Sequence, residues 1–446
     1  MARAWFGTDG IRGVANERLS PDLALRVGRA AAQRLRDSHP APVILIGRDT
    51  RRSGTMLEDA LAAGIASAGG HAVRLGVLPT PAVAWGVLQR GAAAGIVISA
   101  SHNPYPDNGI KLFGADGYKL LDAEEEAIEA LLEAATDLPT GQDVGTTSSA
   151  TGAAEAYAEW VAEVAGVPLA GMRIVVDCAH GAATTVAPRL FELLGAEVVL
   201  IACEPDGCNI NVECGSTHLG HVAAAVVAEG AMLGVAFDGD ADRVLFVDAA
   251  GNPVDGDHIL TLLAADAISR AALPGNRVVV TSMANLGAHH ALRALGCTLE
   301  ITDVGDRYVL EAMRRNGSVL GGEQSGHVIA LDHQTTGDGP LTATLVLAAL
   351  ARSGQTLAEA AAAVEKFPQH LISVRARREG LDTCSVLWEA IATAELALGD
   401  DGRIVVRASG TEPLVRVMVE ARDGDACRAI ALELVAIVER ELPVGD

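Results

Sequence analysis

The sequence predicts an α/β protein: three successive, related α/β domains with mixed, mainly parallel sheets, then a smaller C-terminal α+β domain, all around a central cleft. Three observations point to this architecture. The chain has 446 residues, more than one hydrophobic core sustains, so roughly three or four domains are expected. Short apolar runs alternate with alanine-rich helical stretches over most of its length, the signature of parallel βαβ units. Near His370 that rhythm stops and two apolar runs follow each other closely.

Val43 to Gly47 reads as a buried strand, followed by the polar Arg48-Asp49-Thr50-Arg51 turn and a helix from about Thr55 to Ala68. Ile96 to Ser99 is a strand that runs into Ser101. The rhythm recurs at Arg173 to Asp177, Val198 to Ile201 and Gly234 to Phe237. It returns at Arg277 to Thr281, with a helix over Leu286 to Leu295 and strands at Leu299 to Thr302 and Ser318 to Leu320. From His370 the order is strand, helix (Ser385 to Leu398), two close strands (Ile404 to Ala408 and Leu414 to Glu420), then a helix. Polar linkers at Thr140 to Gly152, Gly251 to Gly256 and Phe367 to Gln369 set expected domains at 1–150, 151–254, 255–368 and 369–446.

Half of the residues are apolar and a fifth are charged, and the formal net charge is −23. Such acidity argues against nucleic-acid binding, which needs a basic face. No apolar run reaches the roughly 18 residues that span a bilayer, and the N-terminus has no signal-like apolar stretch. A cytoplasmic protein without membrane partners is expected. The seven scattered cysteines include no CxxC pair, so free thiols are expected rather than a disulfide framework or a zinc site. Only Lys111, Lys119 and Lys366 are lysines, and two of them follow Ser101 closely.

Ser101 follows a strand within Ser99-Ala100-Ser101-His102-Asn103-Pro104, in turn-forming surroundings that extend to Lys111. By itself it could be a turn residue, a hydrolase nucleophile or the carrier of a phosphoryl group. The hydrolase reading lacks a G-x-S-x-G elbow, and in an extended segment His102 would point away from Ser101. The second motif decides. Asp238, Asp240 and Asp242, with Arg243, follow a strand at alternate positions. Three such carboxylates repel one another unless a cation neutralises them, and oxygen ligands of this kind suit Mg²⁺ beside phosphate. An EF-hand fails, because Arg243 and Ala249 stand where its loop requires Gly and Glu.

Glu323, Ser325 and His327 occupy alternate positions of Gly321-Gly322-Glu323-Gln324-Ser325-Gly326-His327. In an extended segment they would share one face and could bind sugar hydroxyls. Arg407, Ser409, Gly410, Thr411 and Arg416 make a phosphate cradle without the GK[ST] of a P-loop. Thr8 to Gly13, with Arg12, and Gly305 to Tyr308 add two further Gly-and-Arg loops.

In this order and spacing, T-D-G-I-R-G, A-S-H-N-P, D-G-D-A-D-R, G-E-Q-S-G-H and R-x-S-G-T-E-P resemble the α-D-phosphohexomutase superfamily over nearly the whole chain. Gln324, the Thr302 to Arg307 stretch and Thr335-Thr336-Gly337-Asp338-Gly339 are similar to its bacterial members that interconvert glucosamine 6-phosphate and glucosamine 1-phosphate for UDP-N-acetylglucosamine and peptidoglycan. The resemblance implies phosphorylated Ser101 as the carrier, one Mg²⁺ on Asp238, Asp240, Asp242 and a Ser101 phosphate oxygen, and glucosamine 1,6-bisphosphate as intermediate. It implies Lys111, His102, Arg243 and Arg12 around the reacting phosphoryl group and Glu323, Ser325 and His327 on the sugar. Arg407, Ser409, Gly410, Thr411 and Arg416 would hold the phosphate that does not react. A hexosamine phosphate is the expected partner, on a monomer or homodimer. Members acting on mannose or glucose phosphates are the nearest rival, a catalytically silent sugar-phosphate-binding protein a more distant one. Two departures stand out: Ala408 where many relatives have proline, and His180, in a turn, where asparagine is commoner.

Overall fold

The computed structural model describes residues 4–7, 9–134, 137–408 and 414–443. The chain divides into two compact units, residues 1–282 with 297–362, and residues 283–296 with 363–446.

The first unit contains three sheets. The first is formed by β1 (Phe6–Gly7), β2 (Gly10–Val14), β3 (Val43–Arg48), β4 (His71–Val77), β5 (Ala94–Ile98), β6 (Asp107–Gly114) and β7 (Thr147–Ser149), in the order β1-β2-β6-β5-β3-β4-β7. The second contains β8 (Arg173–Asp177), β9 (Glu197–Ile201), β10 (Leu233–Phe237), β11 (Val244–Asp248) and β12 (Pro253–Val254), ordered β12-β11-β10-β8-β9. The third has β13 (Arg277–Thr281), β14 (Thr298–Thr302), β15 (Leu320–Gly322) and β16 (Val328–Ala330), ordered β14-β13-β15-β16. β5 and β10 are buried along their whole length, which is why AGIVI and LGVAF read as continuous apolar runs.

One arrangement recurs in all three. A first strand pairs in parallel with a second on one side and a third on the other, and a fourth returns antiparallel beside the third. The sequence reading anticipated related α/β blocks. It missed the antiparallel fourth strands β6, β11 and β16. Segments such as Asp107-Asn108-Gly109 open with turn-forming residues, yet pair within the sheet because β2 supplies a ladder beside them.

The helices obey local rules. Pro21–Arg36 has Pro at its first position and is capped by Ser20, whose side chain accepts from the Leu23 amide at 3.1 Å. Gly28 and Gly64 let this helix approach Gly54–Ser67 so closely that backbone of one stands where a Cβ of the other would be. No helix among the described residues is long and apolar enough to cross a membrane.

The second unit is an antiparallel sheet, β17 (Gln369–Arg375), β18 (Gly402–Ala408) and β19 (Leu414–Ala421), ordered β17-β19-β18, with helices Ser385–Leu398 and Gly424–Glu441. The helix Leu286–Ala294 belongs with it. The fully buried Glu420 carboxylate pairs with Arg403 Nε at 2.7 Å and accepts from the Leu286 amide at 2.9 Å. Asn285 caps that helix and exchanges two hydrogen bonds with the Phe367 backbone.

Candidate active site

Ser101 lies in the β5–β6 connection and Asp238 to Arg243 in the β10–β11 connection. The two meet: Ser101 Oγ donates to Asp238 Oδ2 at 2.6 Å. Ser101 is buried and has φ +51°, a left-handed conformation that is costly for a side chain with a Cβ and needs support from its surroundings. That support comes from residues outside the motif. The fully buried Arg51 donates Nη2 to the carbonyls of Ser101 (2.9 Å) and Asn103 (2.8 Å), and Nη1 to those of Pro104 (2.5 Å) and Asp107 (3.0 Å). Asp49 holds Arg51 through a 2.8 Å ion pair and accepts from Ser99 Oγ at 2.6 Å, while Ser99 Oγ accepts from the Ser101 amide at 2.9 Å. From the second sheet's loops, Asn211 Nδ2 donates to the Ser101 carbonyl at 2.9 Å.

Arg51 and Asn211 are the functional residues that sequence reasoning missed. The placement of Arg48 to Arg51 at the carboxyl end of a buried strand was a usable signal for Arg51. Nothing in the sequence around Asn211 distinguishes it from a loop residue.

The positive φ of Ser101 also corrects one expectation. The segment is not extended, so His102 does not point away: its Nδ1 lies 3.3 Å from Ser101 Oγ. Burial, followed by Arg243 and Arg12, holds the His102 pKa below the ordinary imidazole value.

Asp238, Asp240 and Asp242 present oxygens within 4.8 Å of one another, and all three are buried. Asp240 Oδ2 receives Thr80 Oγ1 at 2.7 Å and Lys111 Nζ at 2.9 Å. Its Oδ1, and Oδ1 of Asp242, have no hydrogen-bond partner although buried. Burial, then the charges of Asp242 and Asp240, drive the Asp238 carboxyl well above its usual range. Crowded carboxylates with unpartnered oxygens fit a hard divalent cation, which would relieve both the repulsion and the missing contacts. Burial alone would lower the Lys111 pKa, but Asp240, Asp9 and Asp242 outweigh it and keep the ammonium charged.

Around this centre opens a cleft of about 750 Å³, lined among others by Arg12, His102, Lys119, Arg243, Glu323 and His327. Arg12 is ion-paired to Asp9, and Lys119 bridges Asp9 and Asp306. His327 stands between Asp242 and Asp306, with Nδ1 3.7 Å from the first and Nε2 3.8 Å from the second. Its Nε2 accepts from the Gly337 amide at 3.2 Å, leaving Nδ1–H for Asp242.

Glu323, Ser325 and His327 do not share a face as an extended segment would require. Residues 323–327 form a tight turn, closed by bonds from the Glu323 amide to the His327 carbonyl and from the Gly326 amide to the Glu323 carbonyl, each 3.0 Å. Gly326 has φ +89° and lies against the Val244 backbone. Glu323 and His327 line the cleft, whereas Ser325 is not among its lining residues and its Oγ is buried without a partner. Glu323 Oε1 accepts from the Gly305 amide at 3.0 Å.

In the second unit Arg407 and Arg416 face each other across the β18–β19 ladder. Like charges directly opposite destabilise a ladder unless an anion joins them, and Arg416 Nε is buried without a partner. Ser409, Gly410 and Thr411 lie outside the described residues. His180 is held structurally: its carbonyl accepts from Thr50 Oγ1 at 2.6 Å. All seven cysteines are free thiols.

The chain matches the four models of the phosphoglucomutase/phosphomannomutase family: α/β/α domain I over residues 3–138, domain II over 155–251, domain III over 255–367, and the C-terminal domain over 351–437. It is 53% identical to the phosphoglucosamine mutase of Moorella thermoacetica over 94% of this chain and 95% of that protein. It is 51% identical to the phosphoglucosamine mutase of Frankia casuarinae over 98% of each. The crystal structure of a phosphoglucomutase/phosphomannomutase family protein from Burkholderia thailandensis superposes with a TM-score of 0.84 at 27% identity, covering 98% of this chain and 99% of that one. The chain belongs to the phosphoglucomutase/phosphomannomutase family.

Proposed function

We propose that this member of the family interconverts glucosamine 6-phosphate and glucosamine 1-phosphate, with Ser101 as the phosphoryl carrier. The observation that carries the reading is the 2.6 Å contact between Ser101 Oγ and Asp238, beside Asp240 and Asp242 with their unpartnered buried oxygens. The relatives' identity of 51–53% over nearly the whole chain supports the amino sugar as substrate.

Phosphoryl transfer needs positioning and charge neutralisation more than covalent assistance. Asp238, Asp240 and Asp242 would hold Mg²⁺ together with an oxygen of the Ser101 phosphate; bound there, the ion neutralises phosphate charge so that an alcohol oxygen can approach. Lys111 and Arg243 add fixed positive charge, and Arg12 reaches the same cleft. His102, 3.3 Å from Ser101 Oγ, is placed to exchange a proton there. A sugar hydroxyl takes the phosphoryl group from Ser101 and gives glucosamine 1,6-bisphosphate. That bisphosphate reorients and returns its other phosphate to Ser101. Glu323 and His327 face the sugar from the cleft wall, with Ser325 in the turn between them, its Oγ buried. Arg407 and Arg416, with Ser409, Gly410 and Thr411, hold the phosphate that is not reacting. The product feeds UDP-N-acetylglucosamine and peptidoglycan synthesis.

The test is intact mass with kinetics. Wild-type protein incubated with glucosamine 1,6-bisphosphate should gain one phosphoryl group at Ser101, and Ser101→Ala should gain none. Turnover should be faster with glucosamine 6-phosphate than with mannose or glucose 6-phosphate. Absence of label at Ser101 would refute the carrier, and preference for mannose 6-phosphate would refute the substrate.

A further inference from the structure

We propose that Cys178 and Cys203 are a redox-modified thiol pair, which a peroxide converts to a disulfide that loosens the hold on Ser101. The argument begins with the sheet. β8 and β9 are parallel neighbours with Asp177 opposite Ile201. Their backbones stay paired beyond the ladder, through Cys178 N to Ile201 O at 3.1 Å and His180 N to Ala202 O at 2.6 Å. Cys178 and Cys203 therefore leave adjacent strands side by side. Strands lie about 4.8 Å apart, and the left-handed Ala202 before Cys203 breaks the alternation that would otherwise send the two side chains to opposite faces. Each thiol is the main influence on the other's pKa, Cys178 being pushed well up and Cys203 down.

The two sulfurs differ in the way a reactive and a resolving thiol do. Cys203 is partly exposed and Cys178 is fully buried. The neighbouring Cys178 thiol lowers the Cys203 pKa to about 7, against burial and Glu204. Cys203 is thus the reachable nucleophile and Cys178 the one poised behind it. The Cys203 thiolate attacks a peroxide oxygen and the O–O bond breaks. Cys203 becomes a sulfenic acid, and the departing oxygen takes the thiol proton. The Cys178 sulfur then attacks the sulfenic sulfur, the S–S bond forms, and the sulfenic OH leaves as water with the Cys178 proton. Two electrons pass from the two thiols to one peroxide.

The link to Ser101 is short. Ala179 and His180, next to Cys178, and Ala202, next to Cys203, all have positive φ. These turns therefore have little freedom to absorb a new covalent bond without shifting. The Ala179 carbonyl accepts from the Asn211 amide at 2.9 Å, and the Asn211 side chain holds the Ser101 carbonyl. Glu204 N donates to His180 Nδ1 at 3.2 Å, and the His180 carbonyl accepts from Thr50, next to Arg51. Both supports of the Ser101 turn are thus reached from the cysteine pair.

The experiment treats the purified full chain with hydrogen peroxide and maps the cross-link by peptide mass, which is independent of the substrate assignment. Mutase turnover is then measured before and after dithiothreitol. The expected result is a Cys178–Cys203 linkage with turnover down on the order of 10- to 100-fold, as displacement of a reacting group brings, and recovery on reduction. Cys203→Ser should keep basal turnover and lose both linkage and response. Cys178→Ala, should it fold, should stop at the sulfenic acid, which dimedone traps. A linkage to another cysteine, no linkage, or a linkage that leaves turnover unchanged would each overturn the proposal.

Discussion

Replacing Asp338 with asparagine should abolish a pH dependence of stability built into the first unit. Asp338 is fully buried, caps the helix Gly339–Ser353 through the Leu341 amide, and accepts Tyr157 Oη at 2.6 Å and Gln334 Nε2 at 3.2 Å. Burial raises its pKa from 3.8 to about 6, against those hydrogen bonds. In the unfolded chain the carboxyl ionises near its ordinary value of 3.8. Between the two values the folded form therefore holds a proton that the unfolded form has lost. The contribution of this group to stability is greatest below the unfolded pKa and is lost as pH rises through the folded one. Two pKa units or so correspond to about 3 kcal/mol, of which about 2 kcal/mol falls between roughly pH 4.5 and 7.5. Asparagine keeps an acceptor for Leu341 and Tyr157 but cannot ionise. The assay is urea unfolding of wild type and Asp338→Asn across that pH range, followed by Trp fluorescence, because Trp85 and Trp160 each lie within 5.7 Å of the Tyr157 ring. The stability of the variant relative to wild type should rise with pH by about 2 kcal/mol. Parallel curves, or a gap that closes as pH rises, would refute the linkage.

Asn211→Ala removes the side-chain donor from the Ser101 carbonyl; kcat should fall about 10- to 100-fold with KM little changed, measured by steady-state kinetics, and a change in KM alone would contradict the positioning role. Arg51→Met leaves Asp49 buried without its cation, which should cost about 3–5 kcal/mol in denaturant unfolding. Asp240→Asn should weaken Mg²⁺ binding in calorimetric titration by at least about tenfold, since even partners that only orient a ligand are worth about 10- to 100-fold. Glu420→Ala removes the acceptor shared by Arg403 and Leu286; hydrogen exchange should then rise in residues 283–296 together with the β17–β19 sheet, while the first unit keeps its protection.

What could be read from the sequence was what local patterning encodes. β5, β8, β10 and β13 are short apolar runs buried on both faces, and the polar clusters at their carboxyl ends were recognisable as site loops without a structure. The side-chain geometry inside those loops was not. Ser101 takes a left-handed backbone because a guanidinium fifty residues earlier and an amide a hundred and ten residues later hold its carbonyl, and no local pattern reports such partners. The 323–327 turn defeated a period-two reading because Gly326 abuts the Val244 backbone, a contact made between two sheets. The helix Leu286–Ala294 lies between two strands of the third sheet, yet Glu420 ties it to the second unit.

The three repeated sheets explain why the reactive groups are where they are. In each, the connection from third to fourth strand carries a cluster: Ser101 between β5 and β6, the aspartates between β10 and β11, Glu323 and His327 between β15 and β16. The third strand is where parallel pairing ends and an antiparallel return begins, so its carboxyl end opens beside a topological switch rather than under a crossover helix. A hairpin return is also short. Asp238 and Val244 are separated by one tight turn, in which the Ala241 amide bonds the Asp238 carbonyl at 3.1 Å and Ala241 takes φ +55°. So short a link fixes three like charges at a spacing that a flexible loop would relax. Neighbouring domains then lock it: Thr80 N donates to the Asp240 carbonyl at 2.9 Å, Val244 N to the Gly326 carbonyl at 3.1 Å, and Gly339 N to the Ala241 carbonyl at 3.0 Å. Gly339 is obligatory at that contact, since a Cβ there would stand 2.8 Å from the Ala241 oxygen. The residue before it is Asp338, so the buried carboxyl that titrates near pH 6 and the aspartate loop share one helix N-terminus. The strain that crowds the aspartates is therefore borne by contacts from all three sheets. A cation that relieves the crowding should stabilise the unit as a whole, and thermal unfolding with and without Mg²⁺ should show one shifted transition rather than a shift confined to the second sheet.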